Sequence, residues 1–207
     1  MNFIWDLDGT LIDSYGVMVD CLHTVISEQG IDITPEFIMD FAKKQTIGSL
    51  YREMERLYSA DIPKMQHGYK VLSDPRYDEI LPENHAGEIL AALRDNGHRN
   101  FVYTHRDSLA IKILDNLDFS KFFEEIATCE MNLGWKPAPD AIYYFINKYG
   151  LEPSETFYVG DRTIDIECGV NAGIKTIFYH PEGSPVESCG KEDFQVKDLM
   201  DILEVIR

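Results

Sequence analysis

The sequence predicts an α/β protein, a parallel sheet covered by helices on both faces and interrupted by an all-helical insert. Three observations predict it. From residue 81 onward, short apolar runs alternate with helix-period stretches, the pattern of strands buried on both sides. Between residues 14 and 80 only helical patterns occur. An apolar run, Phe3-Ile4-Trp5, precedes that helical region, so the sheet starts before the insert and resumes after it.

Phe3-Ile4-Trp5 reads as a buried strand running into the loop Asp6-Leu7-Asp8-Gly9-Thr10. From Ser14 the pattern is helical, with Val17, Cys21, Leu22, Val25 and Ile26 on one face and Gly30 as the stop. Thr34-Pro35-Glu36 caps a second helix that runs to about Gln45. Two more cover roughly Leu50 to Ser59 and Pro63 to Leu72, which leaves Gly48 in a turn between helices. Beyond Leu81-Pro82, helices are expected over Glu83 to Asn96, Ser108 to Leu117, Pro139 to Tyr149 and Ile164 to Ala172. Strands are expected at Phe101 to Thr104, Ile126 to Thr128, Thr156 to Val159 and Ile174 to Tyr179. A terminal helix from about Val196 to Ile206 completes the chain. The core is therefore assigned to residues 1–13 and 81–207 and the helical insert to residues 14–80, with linkers near Asp13 and Leu81.

Hydrophobic content of 44% and charged content of 27% over 207 residues are ordinary for a folded protein with a well-buried core. The formal net charge is -17, from 36 acids against 19 bases. A surface this acidic repels nucleic acid and anionic lipid, so neither is expected as a partner. It also repels phosphorylated substrates, so an anion site here needs local positive charge or a metal. Cys21, Cys129, Cys168 and Cys189 show no metal-ligand spacing and read as reduced thiols. The N-terminus meets Asp6 too soon for a signal peptide, and no apolar run is long enough to cross a bilayer; a cytoplasmic location is expected.

Four polar clusters fall at the carboxyl ends of predicted strands or in the loops that follow, where open parallel sheets bind ligands. They are Asp6-Leu7-Asp8-Gly9-Thr10, Thr104-His105-Arg106, Lys136-Pro137 and Gly160-Asp161-Arg162-Thr163-Ile164-Asp165. Asp6 and Asp8, two apart, project the same way. Two carboxylates so close are tolerable with a cation or a shared proton, which suits Mg²⁺ and a division between nucleophile and proton donor. Gly9 allows a tight turn that brings backbone N–H groups toward an anion. Asp161 and Asp165, one helical turn apart, read by themselves equally as helix N-capping or as metal ligation. Lys136 offers a compact positive charge between carboxylate and phosphate. Thr104 offers a hydroxyl and a backbone N–H, or is a β-favouring residue and no more.

Taken together and in this order, the four clusters resemble the four motifs of the haloacid dehalogenase superfamily. The helical insert resembles the cap of its phosphoglycolate phosphatase and β-phosphoglucomutase subgroup, on a Rossmann-like core. The resemblance implies a Mg²⁺-dependent phosphatase acting on a small phosphorylated metabolite, of phosphoglycolate or sugar-phosphate type. It makes Asp6 the nucleophile that forms an aspartyl-phosphate and Asp8 the general acid/base, with a raised pKa in the first step. Thr104 and Lys136 bind and balance the phosphate, with Gly9, Thr10, His105 and Arg106 as further phosphate or substrate contacts. Asp6, Asp161 and the Asp8 carbonyl are implied metal ligands, with Asp165 holding a metal-bound water or Lys136.

Two relatives with other activities are weighed against this. Dehalogenases lack a second aspartate in the first motif, and here Asp8 stands in that place. Phosphosugar mutases carry a cap histidine about a dozen residues after the nucleophile; here that position is Met18, and the nearest histidine is His23. A binding or regulatory protein that kept the fold and lost the chemistry is disfavoured by the intact set of residues. Ser14, Tyr15 and the Lys43–Arg52 stretch are the candidate cap contacts to substrate, while Lys44 and Arg52 read more readily as solvated surface charges than as substrate ligands. Oligomeric state is not legible.

Overall fold

In the computed structural model, which describes residues 1–207, the first apolar run forms β1 (Asn2–Trp5), buried at every position. A tight turn leads to the two-residue strand β2 (Ile12–Asp13). Four helices follow, α1 (Tyr15–Ser27), α2 (Pro35–Lys44), α3 (Ile47–Tyr58) and α4 (Ile62–Ser73), then a 3₁₀ segment Asp74–Glu79. The chain resumes through β3 (Leu81–Pro82), α5 (Ala86–Asp95), β4 (Arg99–Tyr103), α6 (Leu109–Asn116) and β5 (Glu125–Ala127). It ends through α7 (Asp140–Tyr149), β6 (Thr156–Gly160), α8 (Thr163–Ala172), β7 (Lys175–Tyr179), β8 (Phe194–Val196) and α9 (Ile202–Val205). None of these helices is long and apolar enough to cross a membrane.

Contacts divide the chain into two compact units, Met1–Asp13 with Leu81–Arg207, and Ser14–Ile80. The first is built on a six-stranded sheet in the order β5-β4-β1-β6-β7-β8, parallel throughout. The α/β reading of the sequence is correct. β1 is central because Phe3, Ile4 and Trp5 are wholly buried, and β4 and β6 pair with it on either side. The strand order reverses there, so the carboxyl end of β1 opens at the switch point of the sheet. One core cluster packs Phe101, Ile142, Phe145 and Tyr158 around Ile4. The Trp5 indole, too polar to bury without a partner, donates to Asn100 Oδ1 at 3.0 Å.

The helical unit has its own core, in which Leu22 and Ile26 of α1 meet Ile38, Leu50, Met54 and Met65. Its helix starts are locally encoded. The hydroxyl of Thr34 accepts from Phe37 N–H at 3.2 Å, that of Thr46 from Ser49 N–H at 3.1 Å, and the carboxylate of Asp61 from Lys64 N–H at 3.0 Å.

Two sequence expectations need correcting. Gly48 does not lie between helices: Thr46 caps α3, which places Gly48 in its first turn. The predicted terminal helix from Val196 is instead the edge strand β8, the 3₁₀ turn Leu199–Asp201 and the single turn of α9. Val196 pairs with Tyr179, and three ladder residues are too few to show a period in sequence. The linkers near Asp13 and Leu81 form a small antiparallel pair, with Asp13 opposite Leu81 and Ile12 opposite Pro82.

Candidate active site

All four sequence clusters lie in the sheet-bearing unit. Asp6 follows β1 directly, and its N–H donates to Val159 O at 2.8 Å, which extends the ladder one step and fixes the carboxylate at the strand end. The chain then folds back: N–H groups of Thr10, Leu11 and Ile12 converge on Leu7 O, while Gly9, at φ 84°, donates to Ile12 O at 2.8 Å. A side chain at that φ would be strained, which is why glycine stands there. The N–H groups of Gly9 and Thr10, expected to face an anion, are engaged inside this turn. The Thr10 hydroxyl donates to Asp161 Oδ1 at 3.2 Å and ties the turn to the end of β6.

Asp6, Asp161 and Asp165 are buried, with one carboxylate oxygen from each lying within 4.8 Å of the others. Asp165 is brought in by α8: its Oδ2 accepts from Arg162 N–H at 3.1 Å at the start of that helix. Gly160 makes the approach possible, since a Cβ there would stand 2.3 Å from Asp165 Cβ. Asp165 therefore does two jobs that the sequence offered as alternatives to each other, capping α8 and serving the polar cluster.

Lys136, in the loop after β5, donates through Nζ to Asp6 Oδ1 and, at 2.8 Å, to Asp165 Oδ1. Burial opposes its charge, but Asp165 and Asp6 outweigh that and hold its pKa above the ordinary range. The ammonium also lies 5.1 Å from the Tyr103 ring centre and 5.4 Å from that of Tyr158. Its backbone N–H donates to His105 Nε2 at 3.0 Å. That bond makes Nε2 the acceptor and places the ring proton on Nδ1. Burial first, and then the Lys136 charge, push the His105 pKa down to about 3, so the ring is neutral.

Thr104, itself buried, commits its N–H to Ala127 O at 3.0 Å, which leaves the hydroxyl, already accepting from Arg106 N–H at 3.1 Å, as its remaining donor. The Arg106 guanidinium reaches across to Asp8, with Nε 2.7 Å from Oδ1 and 2.9 Å from Oδ2. Asp8 thus stands apart from the three clustered carboxylates. Sequence reasoning gave no role to Arg162, Tyr103 or Tyr158. Arg162, between Asp161 and Asp165, places Nη2 3.6 Å from Asp6 Oδ2 and Nε 3.8 Å from Asp165 Oδ2. Its position inside the fourth cluster was the available signal; for the tyrosines none existed, because their strand positions read as core.

Three buried carboxylates face two cationic side chains, Lys136 and Arg162, which leaves negative charge in excess. The cost shows in the pKa values. Burial, reinforced by Asp165, raises that of Asp6, and burial lifts Asp161 to about 8. Asp6 Oδ2 is buried with no hydrogen-bond partner. An all-oxygen donor set with surplus negative charge and an open carboxylate oxygen fits a hard divalent cation such as Mg²⁺.

The family model described as haloacid dehalogenase-like hydrolase matches residues 3–179. The chain is 30% identical to phosphoglycolate phosphatase of Aquifex aeolicus, over 84% of this chain and 81% of that protein. It is 26% identical to the pyrophosphatase PpaX of Bacillus velezensis, over 98% of this chain and 94% of the relative. A solved structure of a predicted phosphoglycolate phosphatase from Haemophilus somnus superposes with a TM-score of 0.86 at 20% identity, covering 99% of this chain and 97% of the other. Sequence match, sheet topology and the acidic strand-end cluster agree, and the chain belongs to the haloacid dehalogenase-like hydrolase family.

Proposed function

We propose that this hydrolase is a Mg²⁺-dependent phosphatase that transfers the phosphoryl group of a small metabolite to Asp6 and then to water. One observation carries the reading. The Asp6 carboxylate, at the end of the central strand, has Oδ1 held by Lys136 and Oδ2 buried without a hydrogen bond. That oxygen, with Arg162 Nη2 3.6 Å away, carries no hydrogen bond to compete with attack on phosphorus.

In the first step the open oxygen of Asp6 bonds to phosphorus while the ester P–O bond breaks, and Asp8 passes a proton to the departing alkoxide. In the second, water attacks the aspartyl-phosphate, gives its proton to Asp8, and inorganic phosphate leaves with Asp6 restored. Lys136 and the Thr104 hydroxyl neutralise and orient the equatorial phosphoryl oxygens, while Asp165 keeps the ammonium in place. His105 holds the Lys136 backbone, and Arg106 holds Asp8. Asp6 and Asp161, with the Asp8 carbonyl, would hold Mg²⁺, and Asp165 supports the site through Lys136. When bound, the cation screens the repulsion between nucleophile and phosphate. The helical unit Ser14–Ile80 serves as the cap that selects the leaving group.

Phosphoglycolate, pyrophosphate and sugar phosphates are the substrate candidates, the first two from the names of the relatives. The mutase reading is disfavoured because Met18, which stands where a cap histidine is required, is packed into the core of the helical unit. The test is phosphate release from these compounds with Mg²⁺ or chelator, for the wild type and Asp6→Asn. Release that needs Mg²⁺ and vanishes in the variant supports the reading, and the order of kcat/KM names the substrate class. A folded protein that releases phosphate from none of them ends it.

A further inference from the structure

The role of Arg106 extends beyond a local ion pair. Its guanidinium contacts Asp8 at three points, Nε with both carboxylate oxygens and Nη2 with Oδ1 at 2.7 Å. Both side chains are only 16% exposed, so the pair is shielded from the competition with water that weakens surface ion pairs. The Arg106 backbone is itself fixed: its N–H donates to Thr104 Oγ1, and its carbonyl accepts from Cys129 N–H at 2.9 Å. Asp8, by contrast, stands on a turn beyond β1, where its carboxylate can rotate about two torsions. A planar guanidinium gripping both oxygens removes that freedom, which a lysine ammonium, a point charge on a flexible stem, does not.

We propose that Arg106 is the positioning residue that aims the Asp8 carboxyl at the leaving-group oxygen, keeping hold of one carboxyl oxygen while the other carries the proton. The assignment rests on the phosphatase reading above and adds to it a residue that acts through Asp8. It makes a specific demand on substrates. An alkoxide cannot depart without a proton, whereas a nitrophenolate leaves readily without one, so the damage done by misaiming Asp8 depends on the leaving group.

The experiment measures kcat/KM for glycerol 2-phosphate and for p-nitrophenyl phosphate with Mg²⁺, in the wild type, Arg106→Ala and Arg106→Lys. Loss of aim lowers the value for glycerol 2-phosphate by about 100-fold and that for p-nitrophenyl phosphate by less than about tenfold, with the change in kcat and not in KM. Guanidinium ion at tens of millimolar restores part of the lost alkyl-ester activity to Arg106→Ala. Arg106→Lys resembles Arg106→Ala. Equal losses on both esters, a loss confined to KM, or no loss overturns the assignment; the second would place Arg106 on the phosphate itself. Should Arg106→Ala fail to fold by circular dichroism, the Lys variant decides alone, and wild-type behaviour there overturns the proposal. Wild-type turnover of both esters keeps the phosphatase reading intact whichever way Arg106 falls. Wild-type release from neither ester, nor from any candidate substrate named above, ends both.

Discussion

Lys136 Nζ donates to Asp165 Oδ1 at 2.8 Å with both side chains fully screened from solvent, and the same ammonium reaches Asp6. One lysine therefore joins the carboxylate at the end of β1 to the carboxylate that starts α8. Taking two carboxylates and an ammonium out of water is costly, and their mutual attraction offsets the cost only while all three are present.

Lys136→Met keeps much of the volume and removes the charge. Two buried carboxylates then lose their shared partner, and stability falls by about 3–5 kcal/mol, the usual cost of breaking one side of a buried ion pair. Urea unfolding at neutral pH in chelator measures it, and phosphate release falls to background. A variant as stable as the wild type would show that the cluster protonates without penalty.

Gly160→Ala places a methyl carbon 2.3 Å from Asp165 Cβ and 2.6 Å from its Cγ. The backbone of β6 or the start of α8 must shift, at a cost of about 1–3 kcal/mol, and Asp165 moves off Lys136. Activity drops with stability. Gly150→Ala is the control: it strains a positive φ, of 61°, but meets nothing within 4 Å and sits at the far end of α7. It lowers the melting temperature and spares kcat. Equal kcat losses in the two variants would separate Gly160 from the site.

His105 gives the pH dependence its sign. Its folded pKa, about 3, lies below the unfolded value near 6.5, so between these limits the unfolded chain binds a proton that the folded chain refuses. The stability this residue contributes is complete above about pH 6.5 and is lost as the pH falls toward about 3. His105→Gln retains an acceptor near the Nε2 position and does not titrate, so its stability declines less steeply over that range. Parallel curves for the two proteins would show that the ring protonates freely in the fold.

Much of this was legible before any coordinate. Asp6, Thr104 and Asp161 could be placed because each follows an apolar run whose period and length mark a strand end, and parallel strands bring their carboxyl ends to one edge. Thr34 announced a helix start by chemistry confined to three residues. β8 escaped because a three-residue edge strand has no period to read, and Gly48 was misplaced because the cap at Thr46 was overlooked.

The sequence alone thus determined the fold class, the helical character of residues 14–80 and the polar residues that gather at the strand ends. These depend on contacts within a few residues, where spacing is itself geometry. Only the tertiary structure decided their partners: Arg106 with Asp8 across 98 residues, Lys136 with Asp6 across 130, and the Tyr103 and Tyr158 rings beside one ammonium. Such pairings are set by strand order and register, because a sheet brings strand ends together whatever length of chain separates them.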